Sequence, residues 1–172
     1  MILRGLLVLL SSGFTVTVVA GVFYFGGIRV NASASLPIGL YRVTSDLAAK
    51  LVAFCPAEPF GSLSANRGYR GKGNCPDGAE PLMKPIVAMA GDTVTVSPAG
   101  VAVNGVLRPN SAPIPFDTKH RPLAHWPYGR YTVASGTAWV ISSYNARSFD
   151  SRYIGPVPSA SIRSHLRPLL TE

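Results

Sequence analysis

Residues 82–106 read LMKPIVAMAGDTVTVSPAGVAVNGV, and the fold is decided there. Val94 and Val96 alternate with Thr93 and Thr95, the period-two pattern of a half-buried strand, and the apolar runs around them are too short for helices. Gly91-Asp92, Pro98-Ala99-Gly100 and Asn104-Gly105 punctuate the stretch as turns. The last pair is the strongest signal, because both residues tolerate positive φ and Val101, Val103 and Val106 flank them, which predicts a tight hairpin. Strands are therefore expected over 82–90, 93–96 and 101–106.

Similar runs over 36–43, 51–54 and 137–143 predict further strands, and only 45–50 and 159–165 offer helix candidates. The expected class is mainly β, a single compact antiparallel β-rich domain over residues 31–172. Residues 56–81 are dense in Gly and Pro, hold Arg67, Arg70 and Lys72, and read as a long loop. That loop is expected to be solvated and stapled at its ends by Cys55 and Cys75; a docking surface for an anionic partner is the other reading.

N-terminal to this domain, residues 6–28, LLVLLSSGFTVTVVAGVFYFGGI, carry no charge. As a helix they extend roughly 34 Å, enough to cross a bilayer. One uncleaved transmembrane anchor within residues 1–30 is expected. Val30-Asn31-Ala32 and Ala32-Ser33-Ala34 resemble cleavage sites of a secretory signal, but the apolar run exceeds the roughly 7 to 15 residues such signals use. A short N-terminal flank before a long domain suits an N-in, C-out orientation, which puts both cysteines on the oxidising side and allows a disulfide.

The composition agrees with a chain partly in lipid: 47% of residues are hydrophobic and 14% charged, against about 25% charged in ordinary soluble proteins. A disordered chain is excluded. The net charge of +8 admits nucleic acid, anionic lipid or an acidic partner. No aromatic-plus-basic nucleic-acid module is present, so no nucleic acid partner is expected.

Neither a metal nor a cofactor is expected. The cysteines form no C-x-x-C, and His120, His125 and His165 fit no metal spacing; the first two lie in the Pro-rich stretch 113–127 and read as loop residues. There is no G-x-S-x-G, H-E-x-x-H, Walker A or dinucleotide fingerprint. What remains is the serine-rich segment 31–41, NASASLPIGLY, and one lysine, Lys84, among Leu82, Met83, Ile86 and Val87. Burial makes a lysine lose its proton more easily, and a neutral amine can activate a serine hydroxyl without histidine. An edge-strand lysine facing solvent is the plain alternative.

Three blocks in order, behind an apolar N-terminus, resemble the signal peptidase I-like family of membrane-anchored Ser-Lys peptidases. They are Ser33-Ala34-Ser35-Leu36-Pro37, residues 83–92 (MKPIVAMAGD) and residues 148–157 (SFDSRYIGPV). The resemblance implies Ser35 as nucleophile and Lys84 as general base, with Ser33 supporting the oxyanion. It further implies that Ser148 orients the lysine by a hydrogen bond and that Asp150 and Arg152 brace the site. Leu-Pro after Ser35 and Pro85 after Lys84 depart from the general enzymes. The run Ser35-Leu36-Pro37-Ile38-Gly39-Leu40-Tyr41 and the closing Arg167-Pro168-Leu-Leu are more similar to the conjugative-transfer peptidases of the TraF type. That likeness implies an inner-membrane, single-pass enzyme with a periplasmic catalytic domain. Its partner would be a membrane-inserted pilin precursor, which it would trim and join head to tail into a circle. A general signal peptidase acting on exported preproteins is the second reading, and a catalytically silent assembly factor the third. Phe60 is a candidate lipid contact.

Overall fold

The computed structural model describes residues 27–172, so the expected anchor, apart from its last few residues, lies outside the described residues. Among the described residues no helix is long and apolar enough to cross a membrane. The strands are β1 (Ile28–Asn31), β2 (Gly39–Thr44), β3 (Leu51–Phe54), β4 (Leu82–Ala88), β5 (Thr93–Ser97), β6 (Gly100–Val103), β7 (Val106–Leu107), β8 (Gly129–Thr132), β9 (Thr137–Val140), β10 (Val157–Pro158) and β11 (Ile162–Thr171). Two short helices, α1 (Phe60–Asn66) and α2 (Ser151–Ile154), complete the regular structure.

The strands form two antiparallel sheets, ordered β1-β2-β11-β3-β4-β9-β10 and β7-β6-β5-β8. The expected hairpin is present: Val103 faces Val106, with Asn104 at φ 49° and Gly105 at φ 83°. Strand alternation separates two cores. Val140 of β9 joins Val52, Phe54 and Leu82 with Phe149, Tyr153 and Ile154 of the α2 region. Its neighbours Trp139 and Ile141 point the other way, onto Val94, Val96 and Val101 of the smaller sheet.

Four expectations are corrected. Residues 159–165 do not form a helix: a 3-10 turn over Ser159–Ser161 leads straight into β11, which fills the slot between β2 and β3. Two-sided backbone pairing there outweighs a weak local preference. Residues 45–50 form a turn in which Asp46 Oδ1 accepts the Ala48 N–H. Within 56–81 the chain folds into α1, and Arg70 is buried instead of solvated. Its guanidinium donates to Ser64 Oγ, Glu80 O, Gly61 O and, at 2.5 Å, Asp77 Oδ2. Cys55 and Cys75 are joined by a disulfide, closing this segment on itself. Lastly, Ile28 belongs to β1 and pairs with Arg42, so the β domain begins ahead of the expected boundary at residue 31. Phe60, at the start of α1, packs partly buried against the larger core.

Candidate active site

Ser35 sits on the connection between β1 and β2, and Lys84 lies mid-strand in β4. Leu36 anchors the connection by burial, while Ala32, Ser33 and Ala34 stay exposed, so the hydroxyl is presented at the surface of a cleft. Lys84 pairs directly with Val52 across β3–β4, on the face it shares with Leu82 and Ile86, and is 3% exposed. The solvent-facing alternative for this lysine is thereby ruled out. Its Nζ donates to Ser35 Oγ at 2.7 Å. Burial lowers the Lys84 pKa to about 8; Asp150 opposes that and Arg152 reinforces it. A lysine so placed is neutral in a useful fraction of molecules near neutral pH.

Ser33 Oγ lies 3.0 Å from Ser35 Oγ and donates to Asn31 Oδ1 at 2.9 Å. Asn31 was not singled out as a site residue by the sequence, yet its side chain organises the whole connection. Its Nδ2 donates to the carbonyls of Ser33, Leu36 and Pro37, and its Oδ1 also accepts the Ser33 N–H. Tyr41 adds a hydroxyl donor to Pro37 O at 2.6 Å. Gly39 is obligatory where the connection enters β2: it holds φ 148°, and a Cβ there would collide with Leu170 O of β11.

Asp150 and Arg152 form a fully buried ion pair, Nε to Oδ1 at 2.8 Å and Nη2 to Oδ2 at 3.0 Å. The remaining guanidinium donors reach Asn110 O, Ala146 O and Ser142 O, so all five are used. Asp150 also caps α2, accepting the Arg152 N–H. Ser151, to which no role was given, accepts the Val140 N–H and ties α2 to β9. Ser148 lines the same cleft as Lys84, but its buried hydroxyl has no hydrogen-bond partner among the described residues. The lysine-orienting bond implied by the resemblance is therefore not made here. The residue that does reach the nucleophile from this side is Ser142, which no motif marks: its hydroxyl donates to Ser35 O at 2.5 Å.

The cleft measures about 520 Å³ and runs from Val30 past Ser35 and Lys84 to Leu123 and Phe149. Among the described residues no group of three or more His, Cys, Asp and Glu could hold a metal ion. His125 stacks on Tyr128, and His165 Nδ1 lies 2.8 Å from Ala49 O, both away from the dyad.

A serine and a buried lysine in contact, on a two-sheet β fold, fit one class of protein in particular. Residues 3–169 match the family described as signal peptidase, peptidase S26, and the chain belongs to that family of serine peptidases. Within it, the chain is 38% identical to a plasmid transfer protein TraF from Escherichia coli over 164 residues, covering 93% of this chain and 92% of that one. A probable conjugal transfer protein TraF from Sinorhizobium fredii is 35% identical over 86% of this chain and 79% of its own. Among solved structures, a signal peptidase I from Enterococcus faecalis aligns with 73% of this chain and 99% of its own, at 19% identity and a TM-score of 0.39.

Proposed function

We propose that this chain is a membrane-anchored serine endopeptidase of conjugative transfer that cleaves a pilin precursor through Ser35 and Lys84. The observation that carries the reading is the 2.7 Å contact between Ser35 Oγ and an amine that burial has made a base. Neutral Lys84 takes the hydroxyl proton as Ser35 Oγ attacks the scissile carbonyl. The oxyanion accepts from the Ser35 N–H and from Ser33, whose proton turns to it from Asn31 Oδ1. The lysine ammonium then protonates the leaving amine, and an acyl-enzyme on Ser35 remains. Water releases a linear product; the precursor's own N-terminal amine, held close, releases a circle.

The relatives named for plasmid and conjugal transfer favour this substrate over exported preproteins in general. The charge-free run over 6–28 favours an anchor, which would set Ser35, seven residues beyond Ile28, near the membrane surface. The Cys55–Cys75 disulfide suits a periplasmic catalytic domain.

The test is the intact mass of a pilin precursor co-expressed with the wild-type chain or with Ser35→Ala. A trimmed product in the wild type alone supports the peptidase, and a mass lower by one further water supports cyclisation. An unchanged pilin together with cleavage of a generic preprotein would favour the general signal peptidase. Survival of both substrates would favour the silent assembly factor.

A further inference from the structure

We propose that Ser142 is a positioning residue for this reaction, carrying the rigidity of the buried Asp150–Arg152 pair to the backbone of Ser35. The inference rests on the roles given above to Ser35 and Lys84. Neither Asp150 nor Ser148 hydrogen-bonds Lys84; among the described residues the lysine's hydrogen bond goes to Ser35. Asp150 Oδ2 instead accepts the Ser142 N–H at 3.0 Å, and Arg152 Nη2 donates to Ser142 O at 3.0 Å. Both backbone groups of Ser142 are thus fixed by one ion pair. Its side chain, 0% exposed, accepts the Tyr144 N–H and donates to Ser35 O. The brace's hydrogen bonds therefore lead to the nucleophile and not to the base.

The arrangement matters because, Leu36 apart, the residues on either side of Ser35 have little packing, and the Asn31 bonds go to Ser33, Leu36 and Pro37 but not to Ser35 itself. Ala32, Ser33 and Ala34 are exposed, and what fixes the Ser35 carbonyl comes from 107 residues away. A displacement of about 1 Å in a reacting group costs on the order of a hundredfold in rate. Ser142→Ala deletes the hydroxyl and leaves both backbone bonds to the ion pair in place.

The experiment uses the full-length chain in detergent micelles and a peptide spanning the cleavage site found in the pilin assay. Ser142→Ala is expected to lower kcat by about tenfold or more with KM within about twofold, as lost positioning does. Its kcat/KM should rise along the same pH limb as the wild type, because the lysine's surroundings are unchanged. Asp150→Asn should move that limb to lower pH, since Asp150 raises the Lys84 pKa. Combined with Ser142→Ala it should cost little more in kcat than either change alone, as expected of one chain of contacts. Val96→Ala, in the smaller sheet's core, controls for lost stability and should keep wild-type kcat. Wild-type kcat in Ser142→Ala would overturn the proposal, as would a fall matched by Val96→Ala at equal loss of thermal stability. Full activity in Ser35→Ala would instead overturn the function on which it rests.

Discussion

Replacing Lys84 by Met should give a protein that is inactive and yet more stable at neutral pH. Burial carries the lysine from the ordinary value of 10.5 to about 8, a difference worth about 3 kcal/mol. At pH 7 about one folded molecule in ten then holds the neutral amine, against about one free lysine in three thousand. The kcat/KM of the wild type is expected to rise with pH along a limb centred near about 8. The same displacement weakens the fold. Between pH 8 and 10.5 the unfolded chain binds one more proton than the folded one, so stability from this group climbs through that window. Below pH 8 the deficit is present in full. Met fills a similar volume without the charge, at the loss of a hydrogen bond worth about 1 kcal/mol. Lys84→Met should therefore gain about 2 kcal/mol at pH 6 to 7, and the gain should vanish by pH 10. Urea unfolding of both proteins across that range, beside peptide cleavage by the wild type, reads both effects. An activity limb near 10.5, or a stability difference that does not change with pH, would refute the reasoning.

Asn31→Ala strips the connection of its organising side chain and should slow turnover by roughly ten- to a hundredfold with little change in KM, measured with the same peptide. Gly39→Ala forces a side chain into β11 at φ 148° and should cost more than about 2 kcal/mol, with faster amide exchange along residues 162–171. Joint Cys55→Ser and Cys75→Ser should lower stability to urea by about 3 kcal/mol, given the 20-residue separation.

The fold was most legible where pairing is local. β3 has its expected limits, β4 and β5 stop within two residues of theirs, and the Asn104-Gly105 turn is where its φ requirements put it. β1 was hidden because Ile28 ends an apolar run of another kind, and β8, Gly129–Thr132, because its mostly exposed residues carry no alternation. β11 reads IRSHLRPLLT, with one fully buried residue, Leu166, and a proline beside a register shift. Nothing local makes it a strand; two distant neighbours do. The site divides in the same way. Ser35 and Lys84 were legible through motifs and through the oddity of a lysine in an apolar run. Asn31 and Ser142 are common polar residues whose importance lies in what they touch, and partners up to 107 residues away leave no mark on the sequence.

The placement of β11 also governs how the serine and the lysine come onto one sheet. In the large sheet β2 has two neighbours, β1 and β11, so within that sheet the β1–β2 hairpin that carries Ser35 is linked to β3 and β4 through the strand formed by residues 162–171. A copy whose β11 is unpaired leaves the serine's hairpin with no strand beside it on that side, so the Ser35–Lys84 contact depends on a segment remote from both residues in sequence. Unpairing residues 162–171 is therefore expected to separate Ser35 from Lys84 without altering either residue.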